Sequence, residues 1–289
     1  TLITPWNYPI AIPAWKIAPA LAAGNTVTIK PASLAPGPAV AIVEALNDAG
    51  IPDGVINLVT GPGSTVGDAL IGHDDVDAVS FTGSSAVGDV VYDLATDDGK
   101  RVQTEMGGKN PTIVSDATDI EEAADIIASG AFGVTGQACT AGSRAIVYED
   151  VYDEFVDAIV DRADAIDVGP GDECDMGPQV SEDELESTLE YIDVAAEEGA
   201  TLAAGGEALD GGRFGDGYFV APTVCTDVDP GHRIAQEEVF GPVLAVISVE
   251  GFDDAVEVAN NVNYGLSASI LTRDHTEANR FVAEVESGV

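Results

Sequence analysis

Positive charge is scarce in this sequence. Its 289 residues hold only 11 lysines and arginines against 51 aspartates and glutamates, a formal net charge of −40. So acidic a surface repels phosphate backbones and anionic headgroups, which excludes nucleic acid and membrane surfaces as partners. Cysteine is scarce too: Cys139, Cys174 and Cys225 are too scattered for a disulfide framework, and no C-x-x-C spacing suggests zinc. A reducing, cytoplasmic setting without a metal is the expectation. No apolar run reaches the ~20 residues of a membrane span. The opening TLITPWNYPI lacks a basic n-region and a small-residue cleavage site, so it is not a signal peptide. It reads as the middle of a strand. Together with the closing EVESGV, which stops without a cap or polar tail, it predicts an internal stretch of a longer protein.

What is present points to folded domains. A hydrophobic fraction of 45% fills real cores, and the length suggests two domains of ordinary size. The acidic residues are dispersed through helical stretches such as VYDEFVDAIVDRADAID, a pattern that reads as adaptation to high salt. Up to residue 107, β-rich runs at 26–30, 54–60, 77–83 and 101–106 alternate with stretches of helical spacing such as PGPAVAIVEALNDAG and STVGDALIGHD. That alternation implies βαβ units and a parallel sheet with helices on both faces. A second strand–helix series follows from PTIVSDATDIEEAADIIASGAF onward, interrupted by a loop-rich excursion at GGEALDGGRFGDGYFVAPTV. The predicted division is 1–107 and 108–289, an α/β class in both halves.

Several short motifs could carry chemistry. In TGQACTAGSR, glycines flank Cys139 and let backbone amides approach its sulfur, which favours a thiolate nucleophile; a buried structural thiol is the plainer reading. Cys174 lies between carboxylates and Cys225 in a strand-like run, so neither competes. PWNYP holds Asn7 between two prolines, either as a rigid strand-to-helix turn or as an amide poised for a developing oxyanion. Glu105 ends a strand beside a Gly-Gly pair, where a carboxylate could serve as general base or simply be solvated. FTGSSAVG is a strand, a glycine turn and a helix start, able to receive a pyrophosphate. VTIKPAS places Lys30 and Ser33 at another strand end, within reach of a ribose or phosphate.

Taken in order, PWNYP, VTIKPAS, FTGSSAVG, EMGGKNP, GQAC and EEVFGPV resemble the aldehyde dehydrogenase superfamily over essentially the whole chain. The resemblance implies a Rossmann-type cofactor domain at 1–107 and an α/β catalytic domain at 108–289, with parts of both and an oligomerisation strand lying outside the sequence. It implies oxidation of an aldehyde with NAD or NADP, Cys139 as nucleophile, Glu105 as the base for deacylation, and Asn7 as oxyanion donor. It implies ribose contacts from Lys30 and Ser33, a pyrophosphate contact from Ser84, and nicotinamide contacts from Glu238 and Phe240. Trp6, Gly63, Phe81, Thr82, Gly83, Gly88 and Gly107 complete the implied cofactor site. Ser33 stands where many NAD-preferring members carry Glu, so NADP is expected to serve at least as well as NAD. The residues around Cys139 are similar to those of members acting on 2,5-dioxopentanoate (α-ketoglutarate semialdehyde). Succinate semialdehyde, betaine aldehyde and broad aliphatic aldehydes remain open as substrates. So do a CoA-acylating reaction, which the presence of Glu105 argues against, and a non-catalytic binding role for the fold. The whole protein is expected to form a homodimer or homotetramer.

Overall fold

A computed structural model describes residues 1–215 and 217–288. They separate into two compact units, Thr1–Gly107 and Gly108–Val289.

The N-terminal unit is built from β1 (Leu2–Ile3), α1 (Ala11–Ala22), β2 (Val27–Lys30), α2 (Gly37–Asp48), β3 (Ile56–Leu58), α3 (Asp68–Ile71), β4 (Ala78–Thr82), α4 (Ser85–Asp97) and β5 (Arg101–Glu105). The five strands form one parallel sheet in the order β3-β2-β1-β4-β5. The chain first winds outward from β1 to β3, then returns to the other side of β1 to add β4 and β5. Such a reversal opens a crevice at the carboxyl ends of the central strands, where α/β sheets place ligands. Those ends lead into Thr4, Lys30, Thr82 and Glu105. Alternation in VTIK buries Val27 and Ile29, which pack with Leu2, Ile17 and Ile56. α2 starts on prolines and stops at Gly50, whose φ of +90° only glycine adopts without strain. Two expectations shift. The opening segment is a strand for only two residues before Pro5 turns it, and 64–74 is a π-turn (Gly63–Gly67) followed by the single helical turn of α3.

The C-terminal unit contains β6 (Asn110–Val114), α5 (Ile120–Phe132), β7 (Gly142–Tyr148), α6 (Tyr152–Ala165), α7 (Glu182–Glu197), β8 (Thr201–Ala204), β9 (Ala208–Leu209), β10 (Phe219–Val220), β11 (Thr223–Thr226), α8 (Arg233–Gln236), β12 (Val243–Val249), α9 (Phe252–Asn260), β13 (Ser269–Leu271) and α10 (His275–Glu284). Six strands form a sheet in the order β13-β6-β7-β12-β11-β8, parallel except at the β8 edge. The central residues of β7 and β12, Ala145–Val147 and Val243–Ile247, are apolar because helices cover both faces. Ala145, Val147, Leu244 and Val246 pack against α5 and α6, while Ile146, Ala245 and Ile247 pack against α7 and α9. Asp119 and Ser181 cap α5 and α7 by accepting from the amides of Glu122 and Glu184. The carboxylates of those first turns also oppose the positive ends of the helices. The excursion read as loop contains the antiparallel pair β9–β10.

The four lysines are not surface residues. Lys30 and Lys109 are buried, and Lys16 and Lys100 half-buried, so the exposed face is left to carboxylates. Arginines tie some of these together, Arg162 to Glu121 and Asp125 between α5 and α6, and Arg280 to Asp253 and Glu284.

Candidate active site

In the C-terminal unit, three motifs distant in sequence form one knot around Cys139. After α5 the backbone turns left-handed at three consecutive residues, Val134 (φ 54°), Thr135 (φ 60°) and Gly136 (φ 66°). Left-handed backbone at β-branched residues is uncommon and strained, and such strain gathers at functional sites. The side chains of Gln137 and Thr135 hold the turn. Gln137 accepts from the Val180 amide at 2.8 Å and donates to the carbonyls of Val134 and Pro178. Thr135 Oγ1 donates to the Gly177 carbonyl at 3.1 Å.

Cys139 follows, half-buried, in a turn closed by the Ala141 amide on the Ala138 carbonyl. Asn110, from the GGKNP motif, clamps that turn: its Nδ2 donates to the carbonyls of Cys139 at 2.8 Å and Ala141 at 2.9 Å, while Oδ1 accepts from Ser267. A side chain at Gly108 would stand 2.5 Å from Asn110 Oδ1 and 3.0 Å from the Cys139 carbonyl oxygen. One at Gly136 would overlap the Gly241 carbonyl of EEVFGP. The motifs therefore depend on each other sterically: each glycine is the space into which another motif's backbone or amide fits.

Charge in this knot is tightly confined. Glu238 accepts from the Gly108 amide at 3.0 Å. Burial pushes its carboxyl up, while that amide and Lys109 pull it back. Lys109 is fully buried, with no hydrogen-bond partner for its Nζ among the described residues, and burial pushes it down to about 7. Arg144 donates to the carbonyls of Lys109, Val258 and Ala259, so it closes the C-terminal turn of α9 with its guanidinium. Burial pushes the Cys225 thiol up to about 12, which makes it an inert packing residue. Glu237, beside Glu238, bonds instead to Arg233 and Tyr191. Phe240 has φ 58°, again left-handed.

In the N-terminal unit, the remaining candidates gather at the carboxyl ends of the sheet. Trp6 and the buried Asn7 follow β1, and Tyr8 has φ 47°. Lys30 ends β2, buried, its Nζ donating to the Pro31 carbonyl at 3.3 Å, and burial lowers its pKa. Ser33 Oγ donates to the Gly61 carbonyl at 3.3 Å. Gly63 opens the π-turn with nothing around its Cβ position. Thr82 and Gly83 lead to Ser84, which starts α4 from extended backbone without a side-chain cap. Phe81 is a core side chain, 3% exposed, so it can offer a ligand only its backbone. Gly83 and Gly88 are required by packing: a Cβ at 83 would stand 2.5 Å from the Phe81 ring, and one at 88 would stand 2.8 Å from Met106 Cγ. Gly107 ends the unit.

A dinucleotide suits this end of the sheet. The uncapped first turn of α4 presents amides to a phosphate, Lys30 supplies positive charge, and Thr4 Oγ1 is buried at the end of β1 with no hydrogen-bond partner among the described residues. Among the described residues no cluster could hold a metal, and no helix is long and apolar enough to cross a membrane.

The aldehyde dehydrogenase family model matches residues 1–289. The chain belongs to the aldehyde dehydrogenase family. It is 69% identical, over 100% of its own length and 60% of the relative's, to an α-ketoglutarate semialdehyde dehydrogenase of Haloferax volcanii. Its fold matches a crystal structure of betaine aldehyde dehydrogenase from Staphylococcus aureus in complex with NAD+, with a TM-score of 0.97 and 40% identity over 99% of this chain and 57% of that one. A 3,6-anhydro-L-galactose dehydrogenase in complex with NADP matches equally well, at TM-score 0.97 and 41% identity over 99% of this chain and 61% of that one. The chain thus spans about 60% of the length of the relatives it matches. The aldehyde dehydrogenase-like α/β fold expected from the motifs is the one found.

Several residues that hold these candidates carry no signal in the sequence. Asn110 was visible only as part of a motif string, and nothing in the string says that its amide grips the Cys139 turn. Lys16, Ser80 and Gln103 went unnoticed because they lie far apart in sequence. They join Glu105 in one hydrogen-bonded row, with Lys16 Nζ to Ser80 Oγ at 2.7 Å, Ser80 Oγ to Gln103 Oε1 at 2.9 Å, and Gln103 Nε2 to Glu105 Oε1 at 3.2 Å.

Proposed function

We propose that the protein containing this chain oxidises an aldehyde to its carboxylic acid with NADP or NAD, and that α-ketoglutarate semialdehyde (2,5-dioxopentanoate) is its substrate. The knot around Cys139 carries the chemical part of this reading: it holds a half-buried thiol in a rigid, strained turn, as a nucleophile needs. The 69% identity to the Haloferax enzyme of that name supports the substrate.

The Cys139 thiolate adds to the aldehyde carbonyl carbon. The charge that develops on the oxygen is received by the Asn7 amide and the Cys139 backbone N–H. Lys30, Ser33, Ser84, Glu238 and Phe240 hold the cofactor, which when bound supplies the acceptor for the hydride of the aldehyde carbon. Glu105 takes a proton from the water that releases the acid from Cys139. Ser33 brings a hydroxyl where a carboxylate would repel a 2′-phosphate, so NADP is used at least as well as NAD. The protein works as a homodimer or homotetramer in the cytoplasm, in keeping with its sparse cysteines.

Turnover of a panel of aldehydes by the whole protein, with each cofactor and with and without CoA, tests this reading. The expected result is highest kcat/KM for 2,5-dioxopentanoate, no CoA requirement, and NADP at least equal to NAD. Preference for betaine or succinate semialdehyde would overturn the substrate, and strict NAD use the cofactor assignment.

A further inference from the structure

We propose that Gln103 is a positioning residue for Glu105, held by Ser80 and Lys16, and that the row of hydrogen bonds they form fixes the orientation of the Glu105 carboxylate. The proposal rests on reading Glu105 as the base.

β4 and β5 pair so that Ser80 lies opposite Gln103 and Thr82 opposite Glu105. With a side-chain period of two, Gln103 and Glu105 share one face of the sheet. Lys16 reaches that face from α1, donating to Ser80 Oγ at 2.7 Å and to the Phe81 carbonyl at 3.3 Å.

The direction of every bond in the row follows from its first member. An ammonium can only donate, so Ser80 Oγ accepts from Lys16 and sends its own proton onward. Gln103 must then present Oε1 to Ser80, which turns its Nε2 toward Glu105. An amide N–H needs an acceptor, and an ionised carboxylate is the better one. A side-chain amide on an open strand would otherwise sample both flips and several rotamers; here both of its ends are bound at 2.9 and 3.2 Å. The same bond restrains Glu105, whose backbone carbonyl is already taken by the Gly83 amide at 3.1 Å. Lys16 and Glu105 also sense each other: burial lowers the Lys16 pKa, and the charge of Glu105 opposes that fall.

The test is a double-mutant cycle in the whole protein, with kcat and KM measured for Gln103→Met, Glu105→Gln and the double variant. Met keeps the volume of Gln and removes both polar ends. Gln103→Met is expected to lower kcat roughly tenfold or more, the loss of one hydrogen bond to a charged group, with KM values within about twofold. In the Glu105→Gln background the same change should cost nothing further. Ser80→Ala, which cuts the row one step earlier, should lower kcat in the same way and serves if Gln103→Met does not fold. An equal loss in both backgrounds would show a structural role and overturn the proposal, as would unchanged kcat in both Gln103→Met and Ser80→Ala. Wild-type kcat in Glu105→Gln alone would instead overturn the reading of Glu105 as base.

Discussion

Adding one methyl group at Gly136 should disturb the Cys139 turn more than any other change of that size in its loop. Gly136 has φ 66°, a conformation that costs an L-residue ~1–2 kcal/mol. Its new Cβ would overlap the Gly241 carbonyl and stand 2.9 Å from Pro242 N, both backbone, so no rotamer relieves the clash. Gly241 cannot retreat freely, since a Cβ built on it stands only 2.7 Å from Gln179 Nε2, which donates to Thr188 Oγ1 behind it. Overpacking of this kind typically costs ~1–3 kcal/mol. Gly136→Ala should therefore lose about 2–5 kcal/mol in all, or roughly 5–15 °C in melting midpoint. The displacement falls on Cys139, three residues on, so alkylation of its thiol should change in rate as well. Gly133→Ala is the control, since it starts the same turn with φ −54° and open space around its Cβ position. Thermal melts and iodoacetamide labelling of the two variants in the whole protein decide the matter. If Gly136→Ala melts with Gly133→Ala and labels at the wild-type rate, the interlocking of the two motifs is refuted.

Three other outcomes are expected. Val134 is 58% exposed with φ 54°, so Val134→Asn should relieve strain without losing packing and raise stability by about 1 kcal/mol; a lower denaturation midpoint would contradict this. Burial pushes Lys109 from 10.5 down to about 7, so between those pH values the unfolded chain holds a proton that the folded chain has released. Stability should then climb with pH across that window, and Lys109→Met should flatten the climb; parallel pH profiles for the two proteins would count against it. With a net charge of −40, self-repulsion should weaken as salt is added, so the melting midpoint should rise from low to molar KCl, and a flat or falling curve would argue against adaptation to salt.

The strand–helix order, and with it the α/β class, was legible because period-two runs such as VTIK and glycine or proline boundaries are local signals. Strand ends were less so: the run read as 54–60 pairs only at Ile56–Leu58, where β3 edges the sheet. The π-turn at Gly63–Gly67 interrupts what the apolar spacing of 64–74 presents as one helix. At the site, motif strings picked out Asn7, Glu105 and Cys139 as chemical types, yet not what holds them. The Asn110 clamp spans 29 residues, and the Lys16–Ser80 bond spans 64. Neither has a sequence signature, because each joins a side chain to an element far away in sequence. The left-handed backbone at Val134 and Thr135 was hidden for the opposite reason: β-branched residues predict extended chain, and tertiary contacts override them.

The central claim is that Cys139 forms the covalent bond to substrate. It is tested most directly by rapidly quenching the whole protein during turnover of 2,5-dioxopentanoate with NADP and mapping the peptides by mass spectrometry. The acyl adduct should fall on Cys139 and accumulate further in Glu105→Gln, where release of the acid is slowed. An adduct on Cys174 or Cys225, or full turnover by Cys139→Ala, would contradict it.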